Sequence, residues 1–432
     1  MAPASGGIAN ERIQSRKHAR VCAVCVLVAT ALPGSMALAD PAIQPRVAIG
    51  DLHYLGAFKL PSVWSAGNPD ATFSYNDDGL ALNPATHTLF VKSHVYGQMV
   101  AEMSIPAPLD SIDPNALNSA GFVQDFADIT EGNLDQENIA NGMRLGGLLV
   151  YGNRLIGAEW AYYDGASEQT KSHFTSGLTL AASADYHGMY AVGDLFPAFV
   201  GGHMTQIPPE WQGAFGGRAL TGHCCTSIIG HQSLGPSASV FNPEDLGMLD
   251  PVPAHPVVNY PIDHATLGAW GVGPANPVYN MSTTITGVVF PPGTRSVMFF
   301  GGTGLGPSCY GEGTSDPNLV GQPTPDGSVW CYDPDNASKG THAYPYSAYV
   351  WMYDANDLVD VRNGTKNPWQ VTPYFSGALT LPVAADALNG AVYDPATHRL
   401  YVEEACVIGD CEPLFQVFEL MTVDEIFADG FQ

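Results

Sequence analysis

The sequence predicts an all-β protein with one folded domain, and three observations support this fold class. First, 47 glycines and 34 prolines are spread over 432 residues, as in chains of many short strands and turns. Second, helical periodicity is scarce. Third, residues 78–91 and 389–402 form an internal repeat, in which an apolar run, a turn cluster and a second apolar run follow one another. That order is typical of strand, turn and strand.

The two copies of the repeat agree at seven positions. The matching pairs are Gly79/Gly390, Pro84/Pro395, Ala85/Ala396, Thr86/Thr397, His87/His398, Leu89/Leu400 and Val91/Val402. Weaker copies are predicted at 147–157, 221–230 and 287–299, where an apolar run again follows a glycine. The spacing between the five glycines leaves room for outer strands and for long connecting loops.

The segments between the copies predict outer strands at 98–105, 237–241, 349–353 and 414–420. Segment 54–60 precedes the first copy and has no partner in its own unit. We expect it to pair with the last unit, which would close a ring of sheets and leave no open sheet edge.

The first 39 residues have the pattern of a signal peptide. Four basic residues precede the apolar run 21–32, which is too short to span a membrane, and Ala37-Leu38-Ala39 is a small-residue cleavage site. We therefore predict a signal peptide at 1–39 and a folded domain at 40–432 that is exported to the periplasm or the exterior. No later run is long enough for a membrane helix, so no membrane association is expected after cleavage.

The charge and the cysteines limit the partners of the exported chain. Without residues 1–39 the formal charge is about −29, which disfavours nucleic acid and anionic membranes. A small-molecule or carbohydrate ligand and a divalent cation fit this charge, and nothing identifies a protein partner. The six remaining cysteines favour the disulfides Cys309–Cys331, Cys406–Cys411 and a vicinal Cys224–Cys225. A Cys/His metal site around His223 is the alternative to the vicinal pair.

The phrase at residues 394–402, DPATHRLYV, resembles the strand-joining phrase of β-propellers of the NHL, YVTN and gluconolactonase-like kind. The resemblance covers roughly a third of the exported chain, when all the copies of the repeat are counted. It implies a single β-propeller of five to seven blades with long connecting loops. The resemblance predicts the fold more specifically than it predicts a reaction or a substrate.

The resemblance also implies a calcium site at the start of the innermost strands. Asp78-Gly79 and Asn389-Gly390 match the phrases that supply metal ligands in gluconolactonase-like propellers, and Asp77 and Asn141 precede neighbouring repeat glycines. Ca²⁺ prefers such carboxylate and amide oxygens and would polarise a lactone or ester carbonyl, with His94 or His223 as the base. The alternative is that these Asp and Asn residues only cap turns.

Two further functions stay open from the sequence. Segment 186–231 is rich in His, Tyr and Arg, the residue types that a polysaccharide lyase needs for β-elimination from a uronic acid. The candidates are Tyr190, His203, Arg218 and His223. A Zn²⁺ site from His203, His223 and His231 is less consistent with known spacings. The third possibility is a binding or scaffold propeller without catalysis. Aromatic residues at 159–165 suit either carbohydrate stacking or packing between blades.

Overall fold

Five antiparallel sheets of four strands each contain most of the strands that the structure describes. The computed structural model describes residues 40–63, 68–139, 142–224, 232–262, 264, 278–382 and 386–421. They belong to one compact unit that spans residues 39–432. The predicted signal peptide lies outside the described residues. Within the described ranges, no helix has the length and apolar character needed to cross a membrane.

The first three sheets each consist of four consecutive strands that pair in chain order. β1 (Leu52–Lys59) comes before them in the chain but belongs to the last sheet. Sheet 1 contains β2 (Leu80–Asn83), β3 (Thr88–Lys92), β4 (Val100–Ser104) and β5 (Phe122–Ala127). Sheet 2 contains β6 (Met143–Tyr151), β7 (Arg154–Ala161), β8 (His173–Gly177) and β9 (His187–Tyr190). Sheet 3 contains β10 (Met204–Gln206), β11 (Ala219–Thr221), β12 (Ala238–Phe241) and β13 (Ala254–Val258).

Sheet 4 is interrupted by a smaller sheet. It begins with β14 (Thr284–Val289) and β15 (Ser296–Gly304). The chain then leaves to form β16 (Cys309–Thr314), β17 (Trp330–Tyr332) and β18 (Lys339–His342), and it returns to complete sheet 4 with β19 (Tyr346–Asp354) and β20 (Phe375–Ala378). The Cys309–Cys331 disulfide joins β16 to β17, as predicted. The excursion between β15 and β19 is therefore a three-stranded sheet cross-linked by a disulfide.

Sheet 5 joins the two ends of the domain. It contains β21 (Leu388–Asp394), β22 (Arg399–Ile408), β23 (Glu412–Leu420) and β1. β1 pairs antiparallel with β23, and Phe58 lies opposite Phe415 with the two rings stacked at 5.0 Å. The prediction that segment 54–60 joins the last unit is confirmed. The second predicted disulfide, Cys406–Cys411, links the ends of β22 and β23.

The first strands of the five sheets lie against one another in cyclic order. β2 contacts β6 and β21, β10 contacts β6 and β14, and β14 contacts β21. Glycine permits this close approach, because a Cβ on Gly287 would lie 2.5 Å from the Ala391 nitrogen and one on Gly147 would overlap the Gly202 carbonyl oxygen. The glycines that mark the repeat are therefore required where sheets meet.

The two strong copies of the repeat have the same local structure. Both form a strand, a tight turn and a second strand, and His87 and His398 both adopt left-handed backbone conformations with φ of 54° and 56°. The His87 Nδ1 lies 3.0 Å from the Asp394 Oδ2, so the turns of the two copies are in contact. These histidines lie at the opposite end of the strands from Asp78 and Asn389. They build the turns, as the sequence predicts.

Only residues 221–224 of the copy predicted at 221–230 lie within the described residues, and Thr221 belongs to a second strand, not a first strand. Ala219–Thr221 is β11, the second strand of sheet 3, and the first strand is the three-residue β10. β10 carries no repeat phrase, so the pattern could not identify it. The sequence also missed α1 (Pro209–Phe215) and α2 (Ala355–Arg362). In α1, Trp211 and Phe215 are buried four residues apart on one face, and both helices are too short to show clear periodicity.

Candidate active site

Polar residues from sheets 1 and 5 meet at the start of the first strands. The Asn389 amide donates to the Asn76 carbonyl and side-chain oxygens, both at 2.9 Å. The Asn76 amide in turn donates to Glu403 Oε1 at 2.6 Å. Asp77 and Asp78 follow Asn76 and precede β2. Asp77, Asp78 and Asn389 thus lie in one polar group, while Asn141 lies outside the described residues.

A buried lysine occupies the centre of this group. Lys92 ends β3 with a side chain that is 0% exposed, and its ammonium forms an ion pair with Asp77 and donates to the Leu145 carbonyl oxygen. Asp78 Oδ1 is 3.9 Å from the same ammonium. Gly79 makes room for this side chain, since a Cβ there would lie 2.8 Å from Lys92 Cβ. The protein therefore supplies its own cation to the two carboxylates.

The environment of the carboxyl groups changes their protonation. Burial, reinforced by the charge of Asp77, raises the pKa of Asp78 from 3.8 to about 7, and the charge of Lys92 opposes this rise. Burial likewise raises the pKa of Glu403 from 4.5 to about 8, although the hydrogen bond from Asn76 lowers it. Glu404 is similar, with its pKa raised by burial to about 7. Near neutral pH, Glu403 therefore mostly keeps its proton, and Asp78 and Glu404 exchange theirs with solvent.

These contacts do not fit a calcium ion. Ca²⁺ takes six to eight oxygen ligands, whereas the carboxylates of Asp77 and Asp78 already face an ammonium group. Asn389 uses its amide nitrogen toward Asn76, so this contact is that of a hydrogen-bond donor. In the described ranges, no group of three or more His, Cys, Asp or Glu side chains is placed to hold a metal. Calcium binding stays a prediction, and no step of chemistry is derived through it.

Aromatic side chains form a continuous row beside the carboxylates. The His94 ring lies 5.9 Å from Tyr75 and 5.3 Å from Tyr96. The Arg144 guanidinium lies 5.3 Å from the Tyr96 ring and 5.6 Å from the Tyr162 ring. All three tyrosines are exposed, at 50%, 68% and 43% in chain order. We call these five residues the aromatic row, and its exposed tyrosine faces can stack on a sugar ring.

Local structure holds His94 and Tyr75 in place within the aromatic row. His94 Nδ1 accepts a hydrogen bond from the Tyr96 backbone N–H at 3.1 Å, and the His94 backbone forms a bridge with Asn76. The Tyr75 N–H donates to the Cys411 carbonyl oxygen at 3.0 Å. The hairpin closed by the Cys406–Cys411 disulfide therefore extends from Glu403 to the edge of the aromatic row.

His203 and His223 are close to each other, as the zinc prediction requires, but both are buried. His203 Nε2 donates to the Ser237 carbonyl oxygen at 2.9 Å, and Trp160 stacks on His223 at 5.1 Å. Burial lowers the pKa of His203 to about 4 and that of His223 to about 3, so both rings are neutral. His231, the third predicted ligand, lies outside the described residues, as does Cys225.

Arg218 and His223 lie at opposite ends of β11. Arg218 directly precedes β11, whereas His223 follows it, so roughly 16 Å of extended chain separates their backbones. Arg218 is exposed and forms an ion pair with Glu244 at 2.9 Å. Tyr190 ends β9, the outermost strand of sheet 2. The structure therefore does not bring Arg218 together with His203 and His223 in one site.

Lys92 and Glu403 were missed as site residues, although the repeat contained a signal for both. Each directly follows the last matching pair of the repeat, Val91 and Val402, and each is an ionisable residue after a run of apolar ones. Aligning the copies one residue further would have identified both. The residue after the last matching valine is thus a lysine in sheet 1 and a glutamate in sheet 5, so the two sheets differ at this position.

The other end of the first strands encloses an apolar cavity of about 280 Å³. All five first strands contribute to its wall, which carries no charged residue; examples are Ala81, Leu148, Met204, Val288 and Val392. The ionisable groups of the first-strand region thus lie at the end that carries Asp77 and Asp78, and the cavity wall is uncharged.

No protein-family model matches the sequence, and no curated protein matches it. Solved structures with partial similarity include a hydrazine synthase from Kuenenia stuttgartiensis, at 13% identity and a TM-score of 0.33, with 79% of this chain and 80% of that chain covered. A candidate glycoside hydrolase from Bacteroides ovatus matches at 10% identity and a TM-score of 0.39, covering 87% and 98%. A glycosyl hydrolase from the same organism matches at 11% identity and 0.37, covering 87% and 93%. At such TM-scores we draw no conclusion from these similarities.

Proposed function

We propose that this protein is an exported hydrolase of carbohydrates whose active centre contains Asp77, Asp78 and Lys92. The observation that carries the proposal is the pair of adjacent carboxyl groups around one buried ammonium, in which burial raises the pKa of Asp78 to about 7. Hydrolysis of a glycosidic bond requires one carboxyl group that donates a proton and one that is ionised. At this centre the buried Asp78 suits the role of proton donor, and Asp77, paired with Lys92, suits the role of the ionised group.

The roles follow from exposure and charge. Asp78 protonates the glycosidic oxygen as its bond to the anomeric carbon breaks. The Asp77 side chain is 31% exposed, so it can reach the sugar and stabilise the positive charge at the anomeric carbon. The Asp78 carboxylate left by the first step takes a proton from the attacking water, whose hydroxyl bonds to the anomeric carbon, and both groups are thereby restored. Lys92 contacts no substrate in this scheme but orients Asp77 through their ion pair.

The aromatic row supports a carbohydrate as the substrate. Tyr75, Tyr96 and Tyr162 present exposed rings beside the carboxyl groups, and such rings stack on the apolar face of a sugar. Lactones and esters, which the sequence also predicts as substrates, need an activated water but no stacking platform.

We also propose that the five sheets are the blades of one five-bladed β-propeller. The cyclic contacts of the first strands, the apolar cavity that all five share and the pairing of β1 with β23 support this arrangement. Export is supported by the two disulfides and by the signal-peptide pattern at 1–39.

The proposal is tested with purified protein in EDTA on a panel of glycosides, oligosaccharides, lactones and esters. We expect hydrolysis of a glycosidic bond, and a loss of about 100-fold or more in Asp77→Asn and Asp78→Asn. Asp125→Asn, an exposed carboxylate on β5, is the matched control and should keep full activity. Equal activity in all four proteins, or no glycoside hydrolysis at all, would refute the proposal.

A further inference from the structure

We infer that Arg144 binds the carboxylate of an acidic sugar, so that the substrate contains a uronic acid unit. This inference rests on the proposed function and names its substrate class. Arg144 is the second residue of β6, and its backbone pairs with Trp160 on β7. It is therefore positioned by a regular sheet at the edge of the site.

The guanidinium of Arg144 is held by two rings. It lies 5.3 Å from the Tyr96 ring centroid and 5.6 Å from that of Tyr162. Cation–π contacts of this kind restrain the planar group while leaving its N–H donors available. A guanidinium fixed in this way can form two parallel hydrogen bonds to a carboxylate with little further loss of side-chain freedom.

Arg144 has no acidic partner among the described residues. The chain has 42 acidic and 16 basic residues, so carboxylates are abundant. Arg46, Arg218 and Arg295 each contact one, at 3.7, 2.9 and 3.4 Å. Arg144 is also half-buried. In an acidic protein, a half-buried guanidinium without a carboxylate is suited to take one from a ligand.

The surroundings favour a sugar carboxylate over a more highly charged anion. The aromatic row provides a stacking surface for a ring next to Arg144. The net charge of −26 disfavours a dianion such as a phosphate ester, whereas one carboxylate matches one guanidinium. A uronic acid offers a pyranose ring and a single carboxylate together.

The test measures binding, separately from catalysis, by titration calorimetry. The ligands are glucuronate and galacturonate, the matched neutral sugars glucose and galactose, and glucose 6-phosphate. For the wild-type protein we expect one of the uronates to bind at least about tenfold more tightly than its neutral counterpart, as one charge-assisted pair would give. Arg144→Met should remove this preference, and Arg144→Lys should keep only part of it. Arg154→Met, on the neighbouring strand and exposed, should leave it unchanged.

Several results would overturn the inference. These are equal binding of uronates and neutral sugars, a preference that survives in Arg144→Met, tighter binding of the phosphate, and no uronate binding at all. Asp77→Asn separates the two proposals, because it should abolish hydrolysis while keeping the uronate preference. Uronate binding that depends on Arg144 but occurs without any hydrolysis would contradict the hydrolase and leave the role of Arg144 standing.

Discussion

Replacing Glu403 with glutamine should make the protein more stable at neutral pH. Glu403 is 1% exposed, and its Oε2 has no hydrogen-bond partner among the described residues. Its pKa rises from 4.5 to about 8 on burial. Between these values the folded chain holds a proton that the unfolded chain has released, so stability is complete below pH 4.5 and falls as the pH rises toward 8.

The size of this effect follows from the same two values. One pKa unit corresponds to about 1.4 kcal/mol, so at pH 7 the buried carboxyl group costs about 3 kcal/mol relative to acid pH. Glutamine keeps the shape of the protonated acid and can still accept the 2.6 Å hydrogen bond from Asn76. We therefore expect the stability difference between Glu403→Gln and the wild-type protein to grow by about 3 kcal/mol in favour of the variant from pH 4 to pH 7.

Urea unfolding of both proteins from pH 4 to pH 8 measures this difference. Glu419→Gln is the matched control, since it removes a partly exposed carboxylate from the same sheet. Parallel pH profiles for the wild-type protein and Glu403→Gln would show that Glu403 does not hold its proton, and our description of the site electrostatics would then be wrong.

Three other predictions concern the centre itself. Lys92→Met should lower the free energy of unfolding by about 1–3 kcal/mol, because it leaves the half-buried Asp77 without its ion-pair partner, and adding Asp77→Asn should restore part of the lost melting temperature. The kcat/KM should fall as the pH rises above about 7, since Asp78 must be protonated to act as the acid, and a flat profile above that pH would rule out this role. Calcium should leave the melting temperature of EDTA-treated protein unchanged, whereas an increase would restore the calcium prediction for Asp77, Asp78, Asn141 and Asn389.

The repeat made much of the fold predictable from the sequence. It marks the first and second strands of four sheets, because glycine is required where first strands approach and the Pro-Ala-Thr-His turn requires a left-handed residue. The first strand of sheet 3 could not be predicted, because no copy of the repeat covers β10. Its pairing with β11 depends on contacts between sheets. Two of the disulfides could be paired from their spacing alone.

The site was predictable only in part. Asp77, Asp78 and Asn389 could be located, because a repeat glycine fixes which end of a strand precedes it. The partners of these three residues could not be predicted. Lys92 and Glu403 reach the site from second strands, and the protonation of Glu403 depends on its burial. For Arg218 and Tyr190 the sequence was misleading. They are near His203 in the sequence and are reactive residue types, but the fold places them at different ends and edges of sheets.

Hydrolysis in ¹⁸O-labelled water tests the central claim most directly. Purified protein in EDTA is incubated with neutral and uronic oligosaccharides, and the masses of the products are measured by mass spectrometry. Our account predicts that each cleavage places one ¹⁸O at the new reducing end, and that Asp77→Asn and Asp78→Asn lose this product. Cleavage that yields an unsaturated, ultraviolet-absorbing sugar end without ¹⁸O would contradict it in favour of a lyase, and the absence of any cleavage would contradict it outright.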